Sequence, residues 1–257
     1  MIFEVCAYSD QGCIRTNNED NFYISGIFRE NVSSPKMEFE GSFNQPRLLF
    51  AVCDGMGGEA NGEYASLAAV KVLHSEAAVD MHEEARINAN AANAAVNRVQ
   101  EELRSSHTGS TLAAFSINGS VGLAYNLGDS RVYLYHREKL DKLTKDHTLA
   151  DYLVELGIIT EEQAENHPNK SSLTQFVGME REQKVEPYFS DEIQLEIGDK
   201  VLICSDGLYN MVDNLSIAHM LGSSMSLSEL GKALIERALA AGGADNVTLI
   251  LISVEQQ

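Results

Sequence analysis

Positive charge is scarce in this chain. Lys and Arg number 19 against 38 Asp and Glu, a net charge of −19 over 257 residues. Such an acidic chain repels phosphate backbones and anionic lipid, so neither nucleic acid nor a membrane surface suits it as a partner. Cysteine is scarcer still, with four residues at positions 6, 13, 53 and 204 and no C-x-x-C pair. That excludes a disulfide framework and a zinc knuckle. Cys53 and Cys204 close apolar runs, where free thiols are usually buried. No apolar run approaches the ~20 residues of a membrane helix; the longest covers residues 247–254. Met1-Ile2-Phe3-Glu4-Val5 has no basic stretch of the signal-peptide kind. A reduced, cytoplasmic protein is the expectation.

Several catalytic signatures are missing as well. No Cys is followed by Arg six residues on, which rules out a cysteine-nucleophile phosphatase. There is no G-x-S-x-G for a serine hydrolase, and neither kinase signature, H-R-D or D-F-G, occurs. The glycines at 58 and 62 are followed by Glu63 rather than Lys, so no P-loop is present. The seven histidines form no H-x-x-x-H pair, and no EF-hand loop appears.

What is present reads as strands and helices in separate blocks. Residues 2–8, 21–28 and 47–53 have strand character, with 29–46 a long connection between the last two. Residues 62–80 are Ala-rich and helical. A second helix over 83–106 carries Ala85, Ala89, Ala92, Val96, Val99 and Leu103 on one face, a stripe suited to packing on a sheet. Asn118-Gly119 marks a tight turn between strands 111–117 and 120–126. Residues 130–136 and 139–144 continue the meander. Residues 146–179 read as an inserted lobe; strands resume at 184–190 and 200–205. A helix over 226–241 then leads into a last strand, 246–254. The pattern predicts an α+β fold with antiparallel sheets, one domain over 1–257.

Three acids share one structural address. Asp54 ends the run Leu48-Leu49-Phe50-Ala51-Val52-Cys53, Asp206 ends Val201-Leu202-Ile203-Cys204-Ser205, and Asp245 precedes the last strand. Each stands at the rim of a buried strand with glycine beside it. One such pair is ordinarily a turn; three on the strongest apolar strands suggest a site. Two bare carboxylates ~4 Å apart repel by about 4 kcal/mol at an effective dielectric near 20. No lysine lies near any of the three, so a bound cation is the economical remedy. Oxygen-only ligands select Mg²⁺ or Mn²⁺.

A second constellation is Arg15-Thr16-Asn17-Asn18-Glu19-Asp20, in which the Arg fork suits a phosphate and the acids suit metal-bound water. Gly128-Asp129-Ser130-Arg131 reads equally as a hairpin corner. Metals with a phosphate fork point to phosphoryl chemistry, for which metal-assisted hydrolysis is a standard route.

These segments resemble the metal-dependent Ser/Thr protein phosphatases of the 2C type, in their bacterial form. The resemblance rests on Ser9-Asp10-Gln11-Gly12 with Arg15 and Asn18-Glu19-Asp20, and on Asp54-Gly55-Met56-Gly57-Gly58 with Gly62-Glu63. It continues through Gly109-Ser110-Thr111, Gly128-Asp129-Ser130-Arg131, Asp146-His147-Thr148, Ser205-Asp206-Gly207-Leu208 and Asp245-Asn246-Val247-Thr248. It implies a sandwich of two antiparallel β-sheets flanked by helices on both faces, the lobe at 146–179 serving as a flap beside the active site. It further implies that Asp54 bridges two Mn²⁺ or Mg²⁺ ions, that the Gly55 carbonyl completes one, and that Asp206 and Asp245 hold the other. Asp20 and Glu19 would act through water, Arg15 would grip the substrate phosphate, and Asp129 with Asp206 would hold a weaker third ion.

The expected chemistry is single-step attack by a metal-bridging hydroxide on phosphoserine or phosphothreonine, with no phosphoenzyme. The substrates would be phosphoproteins, targets of a bacterial Ser/Thr kinase. Met56 stands where many relatives carry His, and Lys170 where bacterial relatives often have Arg. Two rivals stand against this reading: a catalytically silent binding module, which missing metal ligands would have favoured, and an aspartyl-phosphate enzyme. The second is weakened because Asp54-Gly55-Met56 lacks the second Asp of a D-x-D loop.

Overall fold

The structure, a computed structural model, describes residues 1–57, 61–75, 80–105, 107–180 and 185–256. The chain opens with β1 (Ile2–Asp10), β2 (Asn21–Ile24), β3 (Ile27–Phe28), β4 (Lys36–Phe43), β5 (Arg47–Cys53) and β6 (Gly55–Met56). Helices α1 (Gly62–Lys71) and α2 (Met81–Leu103) follow. Next come β7 (Gly109–Ser110), β8 (Leu112–Asn118), β9 (Val121–Leu127), β10 (Arg131–His136) and β11 (Lys139–Lys142), then α3 (Leu149–Glu155) and α4 (Glu161–Glu165). The chain closes through β12 (Tyr188–Phe189), β13 (Ile193–Gln194), β14 (Lys200–Cys204), α5 (Asp206–Tyr209), α6 (Asn214–Leu221), α7 (Leu227–Ala240) and β15 (Val247–Glu255).

Two antiparallel sheets result, ordered β11-β10-β14-β15-β1-β4 and β12-β9-β8-β5-β2-β3, with β13 also on β9. Their central strands are apolar throughout because both faces are covered. In β5, Leu48, Phe50 and Val52 face the opposing sheet, while Leu49, Ala51 and Cys53 meet Ala65 and Ala69 of α1 and Ala85, Ala89, Ala92 and Val96 of α2. In β15, Ile250, Ile252 and Val254 point inward, while Val247, Leu249 and Leu251 meet Leu230, Leu234 and Ala238 of α7. This is the expected sandwich with helices on both faces. Among the described residues no helix is long and apolar enough to cross a membrane.

Register gathers the acids. Asp10 lies opposite Val247, and Cys204 opposite both Leu249 and Arg131, while in the other sheet Asn21 lies opposite Cys53. The ends leading to Asp20, Asp54, Asp129, Asp206 and Asp245 therefore meet at one end of the sandwich.

Several expectations are corrected. The stretch 29–46 is not merely a connection: it contains β4, an edge strand on β1 whose Met37, Phe39 and Phe43 pack on the inter-sheet core. Residues 21–28 form a hairpin, β2 to β3, turning at Ser25 (φ 43°) and Gly26 (φ 101°). The Asn118-Gly119 turn shifts by one residue, since Asn118 pairs with Val121 and the loop is Gly119-Ser120, with Gly119 at φ 64°. The meander divides: β8 and β9 stay in one sheet, while β10 and β11 join the other.

The first helix ends at Lys71, and its expected extension over 76–79 lies outside the described residues. The second begins at Met81, capped by the Asp80 side chain on the Glu83 amide; expected Ser106 lies outside the described residues, and Leu103 is exposed, off the packed stripe. Expected strand residue Lys184 is likewise outside them, and only Tyr188–Phe189 pairs there. Helices α5 and α6 were not read from the sequence.

Candidate metal centre

Asp54 is held by its backbone. Its amide donates to Thr111 Oγ1 at 2.9 Å, its carbonyl accepts from the Thr111 amide at 2.8 Å, and Thr111 Oγ1 lies 2.7 Å from Ser130 Oγ. Gly55 has no room for a side chain: a Cβ there would fall 2.1 Å from the Gly62 carbonyl oxygen and 2.6 Å from that of Glu19. The chain after β5 is thereby pinned against the start of α1 and the loop that precedes β2. Gly58, expected in the same motif, lies outside the described residues.

Asp206 is the first residue of α5. Ser205, just before it, donates from Oγ to Asp20 Oδ2 at 2.7 Å and accepts from the Thr248 amide at 3.0 Å. Gly207 permits the close pass, since a Cβ there would lie 1.9 Å from the Asn246 carbonyl oxygen. Asn246 clamps the loop between β1 and β2 with both ends of its amide. Its Nδ2 donates to the Gln11 and Asn17 carbonyls at 2.8 Å, and its Oδ1 accepts from the Glu19 amide at 2.8 Å.

These contacts surround a cleft of about 360 Å³ whose walls include Arg15, Glu19, Asp54, Gly55, Asp129, Asp206 and Asp245. Asp20 is not on the wall but beneath it, fully buried and joined to the site through Ser205. Thr16, Asn17, Met56, Gly57, Thr111, Ser171 and Leu173 complete the lining. The last two come from the lobe at 146–179, which closes on itself through the bridge Thr148–Leu173 and is tied to β7 by Ser110–Val177. A larger groove of about 610 Å³, lined by Leu215, His219 and Arg237 among others, lacks such an acid cluster.

Burial and mutual repulsion raise the affinity of these carboxylates for protons. Burial above all pushes Asp20 up to about 7, against the pull of the Ser205 and Thr248 hydroxyls, and Asp206 and Asp245 push it further. Asp129 is pushed up to about 7 by burial, then by Asp206 and Asp146. Asp206 rises to about 6 by burial and then Asp245, and Asp54 rises well above the carboxylate range by burial and then Asp20. Glu19 is raised too, by burial and Glu63.

Among the described residues no three such side chains already close into a metal cage. The donor set nevertheless fits hard divalent cations. It is all oxygen, and Oδ1 of both Asp20 and Asp206 is buried without a hydrogen-bond partner. A group that must otherwise take up a proton or stay unpaired is a group a cation would satisfy.

Arg15 departs from the picture of three acids without a nearby cation. Its Nη2 donates to Asp245 Oδ2 at 2.6 Å, and its side chain is half exposed at the cleft mouth. Sequence reasoning missed Arg29, which lies in the stretch given no role. Its guanidinium is buried, donating to the Asn18 and Ser34 carbonyls at 2.7 Å and to that of Asp20, and so supports the loop that carries Glu19 and Asp20. A lone arginine followed by a polar run left no local signal for this. Tyr209, whose hydroxyl donates to the Asp129 carbonyl at 3.0 Å, and Asn210, whose Nδ2 donates to Asp206 Oδ2 at 3.0 Å, were missed as well.

A family model described as protein phosphatase 2C matches residues 40–241. A serine/threonine phosphatase stp of Listeria welshimeri is 34% identical over 253 residues, covering 95% of this chain and 93% of that protein. The protein phosphatase PhpP of Streptococcus pneumoniae is 31% identical over 263 residues, 99% of this chain and 98% of its own. The Mycobacterium tuberculosis serine/threonine phosphatase PstP/Ppp superposes with a TM-score of 0.83 at 32% identity, over all of both chains. The catalytic domain of PstP in complex with two manganese ions gives 0.79 at 32% identity, again over all of both chains.

Proposed function

This chain belongs to the protein phosphatase 2C family, and from that premise we propose which of its residues perform metal-dependent dephosphorylation of serine and threonine in proteins. The centre is dinuclear, as in PstP with its two manganese ions. The observation that carries the assignment is the meeting of Asp54, Asp129, Asp206 and Asp245 in one cleft, with buried, unpartnered Oδ1 atoms on Asp206 and on Asp20 beneath it. Asp54 would serve both ions, the Gly55 carbonyl would complete one, Asp206 and Asp245 would hold the other, and Glu19 and Asp20 would act through water. Asp129 with Asp206 would hold a weaker third. Mn²⁺ and Mg²⁺ both suit these oxygens. When bound, such ions polarise phosphoryl oxygens and make water acidic enough to act as a nucleophile near neutral pH.

The chain's own groups bind and orient. Arg15, with Nη2 on Asp245, keeps the rest of its guanidinium fork for the oxygens of the substrate phosphate. Thr111 and the Asn246 clamp hold Asp54 and the Arg15 loop in place, so little reorganisation is needed on binding. Met56 lines the cleft but has no proton to give, so the leaving alkoxide would draw its proton from another source, for which we propose water. The whole chain is read as one domain with a flap at 146–179. Its phosphoprotein substrates would be targets of a bacterial Ser/Thr kinase in the cytoplasm, a reading supported by bacterial relatives.

Calorimetric titration of metal-stripped protein with Mn²⁺ tests the ligand assignment. Asp54→Asn should disturb both tight sites and Asp245→Asn only one. Two undisturbed sites in Asp54→Asn would overturn the bridging role.

A further inference from the structure

Tyr209 connects the elements that carry Asp129 and Asp206. Asp206 opens α5 and Tyr209 closes it. The Tyr209 hydroxyl donates to the Asp129 carbonyl at 3.0 Å, so the two acids are strapped together through backbone rather than through their own carboxylates. The neighbouring Asn210 donates to Asp206 Oδ2 at 3.0 Å, which leaves Oδ1 as the buried atom without a partner.

The strap has a brace. The Arg131 guanidinium lies 3.5 Å from the centroid of the Tyr209 ring. Arg131 is itself held by Asp146, with Nε 3.0 Å from Oδ2 and 3.2 Å from Oδ1, and Lys142 Nζ also reaches Asp146 at 3.2 Å. Both cations are thus turned toward Asp146. Asp129 follows Gly128, whose left-handed φ of 100° shapes the turn and whose amide and carbonyl are held by His147 and Asn126, so the Tyr209 hydroxyl adds a further hold at the Asp129 carbonyl itself. Two neighbouring carboxylates repel, and any yielding of the turn would let them separate. A hydroxyl bonded to the turn's own carbonyl opposes that.

We infer that Tyr209 is a positioning residue that fixes the separation of Asp129 from Asp206 and thereby sets the affinity of the weakest divalent-ion site. This rests on the third-ion reading given above. Tyr209→Phe keeps the ring under Arg131 and removes only the hydroxyl, so it isolates the strap. Tyr209→Leu also removes the brace.

The test is calorimetric titration of the metal-stripped full chain with Mn²⁺ for the parent, Tyr209→Phe, Tyr209→Leu and Asp129→Ala. Asp129→Ala should abolish the weakest event. Tyr209→Phe should weaken that event about fivefold, the scale of one lost hydrogen bond, and leave the tighter events at parental affinity. Tyr209→Leu should weaken it further. If Asp129→Ala abolishes the weak event while Tyr209→Phe leaves it at parental strength, the positioning role is overturned and the third-ion reading stands. Equal weakening of every event in Tyr209→Phe also overturns it, since that marks general loosening. A parent with no third event, or an Asp129→Ala variant with all events intact, overturns the third-ion reading and the role built on it.

Discussion

Asp54 shows how function and stability pull apart at single residues. It is fixed by Thr111 and surrounded by Asp20, Asp206, Asp129 and Asp245, which with burial disfavour its charge. Asp54→Asn should lower turnover of a phosphopeptide by roughly a thousandfold or more, the scale of losing a main electrostatic element of a site. The same change should raise the unfolding temperature of the metal-stripped protein, because it removes a charge the fold tolerates poorly. A calorimetric scan that found it lowered would contradict this electrostatic picture. Arg15→Ala should act mainly on KM, since the residue is half exposed at the mouth of the cleft and assigned to the phosphate. An unchanged KM would remove that assignment.

Asp54, Asp206 and Asp245 were legible in the sequence because each follows or precedes a buried strand with glycine close by. The Asn246 clamp, the Arg29 support and the Tyr209 strap were not. Their partners are backbone groups brought to them by the fold, and such contacts leave no spacing to read.

At the scale of elements, legibility followed periodicity. Strands β5, β14 and β15 were plain as continuous apolar runs, and α7 nearly to the residue. β4 was missed although Met37, Phe39 and Phe43 alternate with polar neighbours, because its charged outer positions made it look like a loop. Exposed charge of this kind is what an unpaired edge strand uses to discourage pairing with another chain. The division of the meander could not be read, since nothing local tells β10 which sheet to join. The β10–β11 turn carries a testable cost. Arg137 (φ 48°) and Glu138 (φ 65°) are both left-handed without being glycine. Glu138→Gly should stabilise the protein by roughly 0.5–1 kcal/mol in denaturant unfolding, since the turn needs positive φ there. No gain would mean that the left-handed backbone is not a source of strain.

Across the whole molecule, the acids that burial perturbs most, Asp20, Asp54, Asp129 and Asp206, gather at one end of the sandwich. In the metal-stripped protein the folded values of Asp20 and Asp129 are pushed up to about 7 and that of Asp206 to about 6, against an ordinary 3.8. The folded state thus holds protons that the unfolded state has released, so stability falls as pH rises from about 4 to about 7. Metal-stripped protein should unfold at a higher temperature at pH 5.5 than at pH 7.5, and saturating Mn²⁺ should remove or reverse that difference. A metal-stripped protein more stable at pH 7.5 would contradict the reading of the acid cluster. The central claim is that these acids serve metal-dependent hydrolysis, and one measurement meets it directly. Metal-stripped protein is mixed with a phosphothreonine peptide, titrated with Mn²⁺, and then treated with excess chelator. Phosphate release that begins with the metal and stops with the chelator is the predicted result; tight Mn²⁺ binding without release from any phosphopeptide would contradict it.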